Sequence, residues 1–436
     1  MAPGTPGERV LAVIDLARHG RFEPIRDLFV EPLRPMVSAE SLRAAWDAAI
    51  GRLGAVSSIG TPVTEPGPQG TVVVKVPVAG QHGAMTVVAS LTSVGDLTGL
   101  QLAPPTAAEP TAPWKAPGYV DTGRFDEEDV LVGSGPLAVP GTFSIPKAAE
   151  PCPAVVLLAG SGPNDRDGTI GRNKPLKDLA WGLASRGVAV VRFDKVTFAH
   201  PGEVHGDGGF TVVDEYVHHA VAGVSLLAAR TAVDRRRIIV AGHSLGGTVA
   251  PRVAAAAPVV AGLVLLAGGT EPLQWAAVRQ IRYLASLDPG TAAASESVIR
   301  TMTEQARRVD SPDLSLSTPA GDLPFGVPAG YWLDLGTYQP AEAAAALGKP
   351  VLILQGGRDY QVTVDGDLAT WQRALAGRPD VTVRIYPADN HFFFSGGGPS
   401  SPAESEAAQH VNPSVVADMA EWITALPAGE EAMMGR

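Results

Sequence analysis

Ser244 stands in Gly242-His243-Ser244-Leu245-Gly246-Gly247, directly after the apolar run Arg237-Ile238-Ile239-Val240-Ala241 and directly before a stretch that opens a helix near Thr248. G-x-S-x-G between a strand and a helix is the pattern of a nucleophile elbow, a bend so tight that side chains at the glycines would clash, and one that lifts the serine hydroxyl out of the sheet. With 49 glycines in 436 residues the bare pattern arises by chance, so the strand-turn-helix setting carries the argument against a mere helix-capping serine. A serine is a weak nucleophile until a base takes its proton, and the base must be oriented by an acid. The chemistry to expect is attack on an acyl carbon, with a carboxylate and then a histidine following in the chain.

The acid belongs just past the carboxyl end of a later strand. Val351-Leu352-Ile353-Leu354 runs into Gln355-Gly356-Gly357-Arg358-Asp359, which puts Asp359 there, with Asp365 and Asp367 as alternatives and a turn or N-cap aspartate as the plain reading. Two histidines follow, His391 and His410. His391 lies five residues after the strand Val381 to Tyr386, on the loop beyond the last strand, whereas His410 sits just before the final helix as a surface or loop residue. The developing oxyanion needs two fixed donors. One is the backbone N–H of Leu245; the other belongs to the loop Gly160-Ser161-Gly162-Pro163-Asn164-Asp165-Arg166-Asp167-Gly168, where position favours Ser161, then Gly162. Arg166 and its flanking carboxylates either touch substrate or form an ion-pair cluster that braces this loop.

These groups need a scaffold. From Ala154 onward apolar runs alternate with helical stretches: Ala154 to Ala159, Leu176 to Ser185, Val188 to Phe193, Glu215 to Ala229, Arg237 to Ala241, Thr248 to Ala256 and Ala261 to Ala267. Strands apolar on both sides, separated by helices, predict a doubly wound, mostly parallel α/β sheet covered on both faces. The alternation pauses between Thr270 and Leu347 and then resumes, so residues 270–347 read as a cap insertion between consecutive strands. Its aromatics include Tyr331 and Trp332, flanked by Gly330 and Gly336 in what reads as a mobile loop; the pair either lines the substrate pocket or packs the cap onto the body. Ahead of all this, helical patterns at Val10 to Ala17 and Leu42 to Ala49 precede strand-like runs at Thr71 to Val78, Met85 to Leu91 and Leu97 to Leu102, predicting a small α+β domain over 1–103. Five prolines between Ala103 and Gly118 predict an extended linker over 104–118, leaving 119–436 as the catalytic domain.

Composition narrows the classes. A net charge of −11 with 18% charged residues gives no basic footprint for nucleic acid or anionic lipid. No apolar run approaches the roughly 18 residues of a membrane span, and no His/Cys/carboxylate spacing marks a metal site. The single Cys152 has no internal partner, and Met1 to Val10 lacks the basic start and apolar run of a secretion signal, so a reducing, cytoplasmic setting is expected. A small-molecule ester or acyl substrate and no cofactor are expected, and the oligomeric state stays open.

From about Tyr119 onward the chain resembles the α/β-hydrolase superfamily. The Gly160 to Asp167 loop, Arg192-Phe193-Asp194-Lys195, Gly242 to Gly246 and the Asp359/His391 pair resemble one esterase subgroup that often carries a small N-terminal α+β domain, similar to nuclear transport factor 2. The resemblance implies carboxylester hydrolysis by Ser244, Asp359 and His391 and no activity for the N-terminal domain. Val196 and Thr197 depart from it, since many relatives have Arg-Gly after the Asp-Lys pair. The same residues would equally serve acyl transfer, thioester cleavage or cyclisation of a larger metabolite, and a binding protein with a vestigial site is the alternative outside enzymes.

Overall fold

The computed structural model describes residues 5–67, 71–103, 114–204, 208–287 and 292–427. The chain divides into two compact units, residues 1–112 with 288–298, and residues 113–287 with 299–436. Most of the proline-rich stretch, residues 104–113, lies outside the described residues.

In the first unit the helix Pro6–Arg18 opens with a capping box between Thr5 and Glu8, and Val10, Val13, Ile14 and Ala17 form its buried stripe. The helices Glu23–Asp27 and Ala39–Leu53 follow. Five antiparallel strands complete it: β1 (Val56–Ile59), β2 (Val63–Pro66), β3 (Val72–Gly80), β4 (Gly83–Leu91) and β5 (Leu97–Ala103), ordered β1-β3-β4-β5 with β2 also paired to β3. In β3, Val74, Val76 and Val78 are buried while Lys75 and Pro77 turn away, the period-two alternation of a sheet packed on one face. β1 and β2 escape the sequence reading because they are short and mostly exposed.

The second unit holds an eight-stranded sheet ordered β13-β12-β11-β10-β8-β9-β7-β6. Its strands are β6 (Phe125–Val132), β7 (Val139–Pro146), β8 (Cys152–Leu158), β9 (Ala189–Phe193), β10 (Val233–His243), β11 (Val260–Leu266), β12 (Val351–Gly356) and β13 (Val381–Tyr386). From β13 to β9 every pairing is parallel; β7 and β6 add antiparallel strands at one edge. β8, β9 and β12 are buried along their whole length. Val156, Val191, Val240, Leu265 and Ile353 face one core with residues of the helices His218–Ala228 and Leu245–Ala256. Val155, Val190, Ile239, Val264 and Leu352 face another, with residues of Pro175–Ala184 and Pro413–Ala425. Each such side chain stabilises the fold by about 1.5–3 kcal/mol of apolar burial. Because β10, β12 and β13 run parallel, their carboxyl ends, and the loops that follow them, share one edge of the sheet.

Residues 270–347 are mainly helical: Leu273–Leu287, Ala292–Val309, Ala329–Gly336 and Pro340–Leu347. The expectation of a mobile loop at Tyr331 and Trp332 is corrected. Both lie in the first turn of Ala329–Gly336, 5% and 1% exposed. Gly330 is there for close approach: a Cβ would stand 2.9 Å from the backbone of Gly209.

Candidate active site

β10 ends at His243 and the helix Leu245–Ala256 starts two residues on, so Ser244 forms the turn alone, at φ 55° and ψ −122°. A non-glycine residue in the left-handed region costs on the order of 1–3 kcal/mol. The Ser244 N–H is tied to the Leu266 carbonyl at 2.9 Å. Gly246 lets the turn pack against the next strand, since a Cβ there would meet the Ala159 and Leu158 carbonyl oxygens at 2.5 and 2.9 Å. The N–H of Leu245 opens the helix and so has no carbonyl a turn earlier to bond.

His391 Nδ1 lies 2.7 Å from Asp359 Oδ2, with both residues buried at 4% and 7% exposure. Every acceptor direction of this carboxylate is used. Oδ1 takes the N–H groups of Gln361 and Val362 at 2.7 and 2.9 Å, and Oδ2 also takes Gln355 Nε2 at 3.2 Å. With Nδ1–H given to the carboxylate, a neutral His391 keeps Nε2 as a proton acceptor. Asn390 shapes the loop: its Oδ1 receives the N–H groups of Phe392 and Phe394, and its Nδ2 reaches Glu404 at 2.8 Å. Asp389 is fully buried, holding Ser395 Oγ and Asn412 Nδ2, and burial raises its carboxyl above the usual range.

His243 connects the two halves. Its ring is 4.7 Å from the His391 ring and its Nε2 lies 2.8 Å from the His391 carbonyl, an acceptor that requires the proton on Nε2. Burial first, then the neighbouring His391, pushes its pKa down to about 3, so the ring is neutral. On the other side Gly160 closes in, its Cβ position only 3.2 Å from Ser244 Cβ. The loop that follows exposes Ser161 and is held from within: Asn164 Nδ2 donates to the carbonyls of Gly160, Ser161 and Gly162 at 3.2, 2.8 and 3.0 Å. Arg166 bonds Asp194 through its backbone N–H at 2.8 Å and through Nε at 3.1 Å, and reaches Gly141 and Thr142 through Nη1. Asp167 bonds Arg192 and Lys174. Of the two readings of this charged loop, its side chains occupy the bracing one.

Sequence reasoning proposed further residues, and their placement differs. His410 Nδ1 bonds Asp178 at 3.1 Å, not Asp359. Asp365 is exposed, and Asp367 receives the N–H groups of Thr270, Glu271 and Thr363. The Tyr331 hydroxyl donates to Glu215 at 2.6 Å, and Trp332 packs with Val309, Leu323 and Ala329. Neither borders the cavity of about 360 Å³ beside the acid loop, whose lining includes Arg279, Tyr283, Arg358, Asp359 and Tyr360. Gln355 was missed although it is the last residue but one of β12, four residues before Asp359; a buried glutamine beside a candidate acid is the signal. No group of metal-ligating side chains occurs among the described residues, and no helix among them is long and apolar enough to cross a membrane.

The alpha/beta hydrolase family model matches residues 155–407. Esterase EstD of Thermotoga maritima is 36% identical over 342 residues, 78% of this chain and 77% of that protein. Among solved structures, an esterase of Pyrococcus furiosus is 18% identical with a TM-score of 0.40, covering 62% of this chain and 84% of its own. The acylaminoacyl peptidase of Pyrococcus horikoshii is 14% identical with a TM-score of 0.46, covering 87% and 57%.

Proposed function

The chain belongs to the α/β-hydrolase family, and on that premise we propose that it hydrolyses carboxylic esters of small molecules, with Ser244 as nucleophile, His391 as base and Asp359 as the acid that orients it. The observation that carries this reading is the buried Asp359–His391 pair at 2.7 Å, on loops at the same sheet edge as the strained Ser244 turn. In the first half-reaction Ser244 Oγ attacks the ester carbonyl carbon while His391 Nε2 takes its proton. The N–H groups of Leu245 and Ser161 receive the charge that develops on the carbonyl oxygen. His391 then gives the proton to the departing alkoxide, leaving an acyl ester on Ser244, and water activated by the same imidazole releases the acid. His243, neutral and bonded to the His391 carbonyl, holds the base in place without competing for its proton. Nothing in this cycle calls on a metal or cofactor. The buried, unpaired Cys152 suits a reducing compartment, and we assign the protein to the cytoplasm.

The test is turnover of 4-nitrophenyl alkanoates together with labelling by a fluorophosphonate. Ser244→Ala should lower kcat by about 10⁵ or more and abolish labelling with the melting temperature kept. Activity within tenfold of the wild type would remove Ser244 from the mechanism.

A further inference from the structure

The Gly160 carbonyl oxygen is gripped by an unusual set of donors. Tyr216 Oη donates to it at 2.6 Å, Lys195 Nζ at 3.0 Å and Asn164 Nδ2 at 3.2 Å. The first two belong to a closed, buried network. Lys195 Nζ also donates to Tyr216 Oη at 2.7 Å and pairs with Glu215 Oε1 at 2.9 Å, which uses all three ammonium protons. Glu215 further accepts from Thr197 Oγ1 at 3.0 Å and Tyr331 Oη at 2.6 Å. Lys195, Glu215, Tyr216 and Tyr331 are all 5% exposed or less.

A buried ion pair adds little net stability, because desolvation offsets most of the attraction; apolar replacements are often neutral or better. Its worth lies in what it fixes. Gly160 and Ser161 are joined by a trans peptide, so the carbonyl of one and the N–H of the other point in opposite directions within one plane. Pinning the carbonyl toward Lys195 and Tyr216 therefore aims the Ser161 N–H away from them. Gly160 itself lies against Ser244. Glu215 and Tyr216 sit on a π-helical turn, Val213–Val217, a rare geometry that recurs at functional sites. A donor chain that ends on a peptide carbonyl also polarises that peptide, strengthening its N–H as a donor.

We propose that Lys195, Tyr216 and Glu215 are positioning residues that lock the Gly160–Ser161 peptide so that the Ser161 N–H is presented to the oxyanion, with Tyr331 tying the network to the helix Ala329–Gly336. This rests on the reading of Ser244 as nucleophile and Ser161 N–H as oxyanion donor. It also accounts for Thr197, the departure from the Arg-Gly of related sequences, as a third donor to Glu215 beside Lys195 and Tyr331.

Tyr216→Phe keeps the ring and removes the shortest bond to the Gly160 oxygen. The readout is kcat and KM on a 4-nitrophenyl alkanoate and on its thiono counterpart, whose C=S accepts N–H hydrogen bonds poorly. Loss of a well-aimed oxyanion donor costs about 10²–10³ in kcat, so a loosened one should cost about 10- to 100-fold on the oxygen ester. KM should stay within about twofold and the thiono rate within about threefold, so the oxygen-to-sulfur preference collapses. Lys195→Met combined with Glu215→Gln, which leaves no buried charge, should show the same collapse, with thermal melts checking that it folds; if it does not fold, Tyr216→Phe decides alone. Equal losses on both esters, or no loss, would overturn the positioning role. If Ser244→Ala is inactive while the Tyr216→Phe preference is unchanged, this inference fails by itself; if Ser244→Ala is active, the reading beneath it fails.

Discussion

Asp359→Asn is the sharpest perturbation of the proposed acid, because the structure dictates how the new side chain must sit. Two backbone donors, the N–H groups of Gln361 and Val362, face Oδ1 at 2.7 and 2.9 Å, so the amide oxygen of an asparagine must take that place. Its NH₂ then occupies the Oδ2 position, facing Gln355 Nε2 and His391 Nδ1. A donor now faces the Nδ1 proton. His391 escapes by moving its proton to Nε2 and accepting at Nδ1, which leaves it unable to take a proton from Ser244. The expected loss is about 10⁴ in kcat, on the order of 5.5 kcal/mol of barrier. Folding should suffer far less: both backbone bonds survive, Gln355 Nε2 loses its bond to this side chain but keeps the Val362 carbonyl, and the charge-assisted bond to His391 that weakens is worth about 1.5–3 kcal/mol. The assay is kcat on a 4-nitrophenyl ester beside urea denaturation of both proteins, with imidazole nitrogen NMR reporting the tautomer. Turnover within tenfold of the wild type with Nδ1 still protonated would refute the reasoning. So would a loss of activity that merely follows unfolding.

Further outcomes follow from neighbouring features. His391→Ala should match Ser244→Ala in kcat, since the groups act as a unit. His410→Ala should keep kcat within about threefold and lower stability by about 1–2 kcal/mol, because it strips one partner from the fully buried Asp178 carboxylate, a loss visible in the denaturation midpoint. Around Arg192, burial is the largest influence and pushes the Asp167 and Glu127 carboxyls up, but Arg192 together with Lys174 at Asp167, and with Ser144 and Trp181 at Glu127, outweighs it, so both end below their ordinary values. Folded values below the unfolded ones mean that this contribution is complete above the unfolded carboxylate range of about 4 and is lost as pH falls through the folded values. Denaturation midpoints should decline through that window, and Arg192→Met should lose about 3 kcal/mol at neutral pH while flattening the decline.

How much was readable beforehand depended on whether the signal was local. β8, β9, β11, β12 and the second half of β10 announce themselves because burial on both faces demands unbroken apolar runs, while the edge strand β13 is only partly buried; Asp359 and His391 follow from where β12 and β13 stop. β6 does not. Its residues Asp126 to Asp129 are all exposed at the sheet's edge, where Phe125 and Val132 are buried and Val130 packs partly on the core. β7 carries Pro140 and Gly141, which read as turn residues, yet Gly141 is needed because a Cβ would stand 3.0 Å from the Arg192 carbonyl oxygen. Tyr331 and Trp332 looked like loop residues between glycines, but Pro328 supplies a helix start and the surrounding core supplies the burial. The Lys195, Glu215 and Tyr216 network brings two distant segments onto one carbonyl, and no spacing in the chain announces a meeting that only tertiary structure creates.

Four non-glycine residues among those described have positive φ, and three of them are Ser244, Ala267 and Phe393. For Ala267 and Phe393 the frustration is repaid in packing: they are 0% and 1% exposed, and Phe393 meets Tyr386 edge-on at 6.0 Å. Ser244 has no such return, being only half-buried with a hydroxyl that fills no core. Glycine would relieve that position at the expense of nothing the fold requires. A chain shaped by durability alone would therefore drift toward glycine at 244, and the side chain that persists there marks a point where usefulness and robustness pull the sequence in opposite directions.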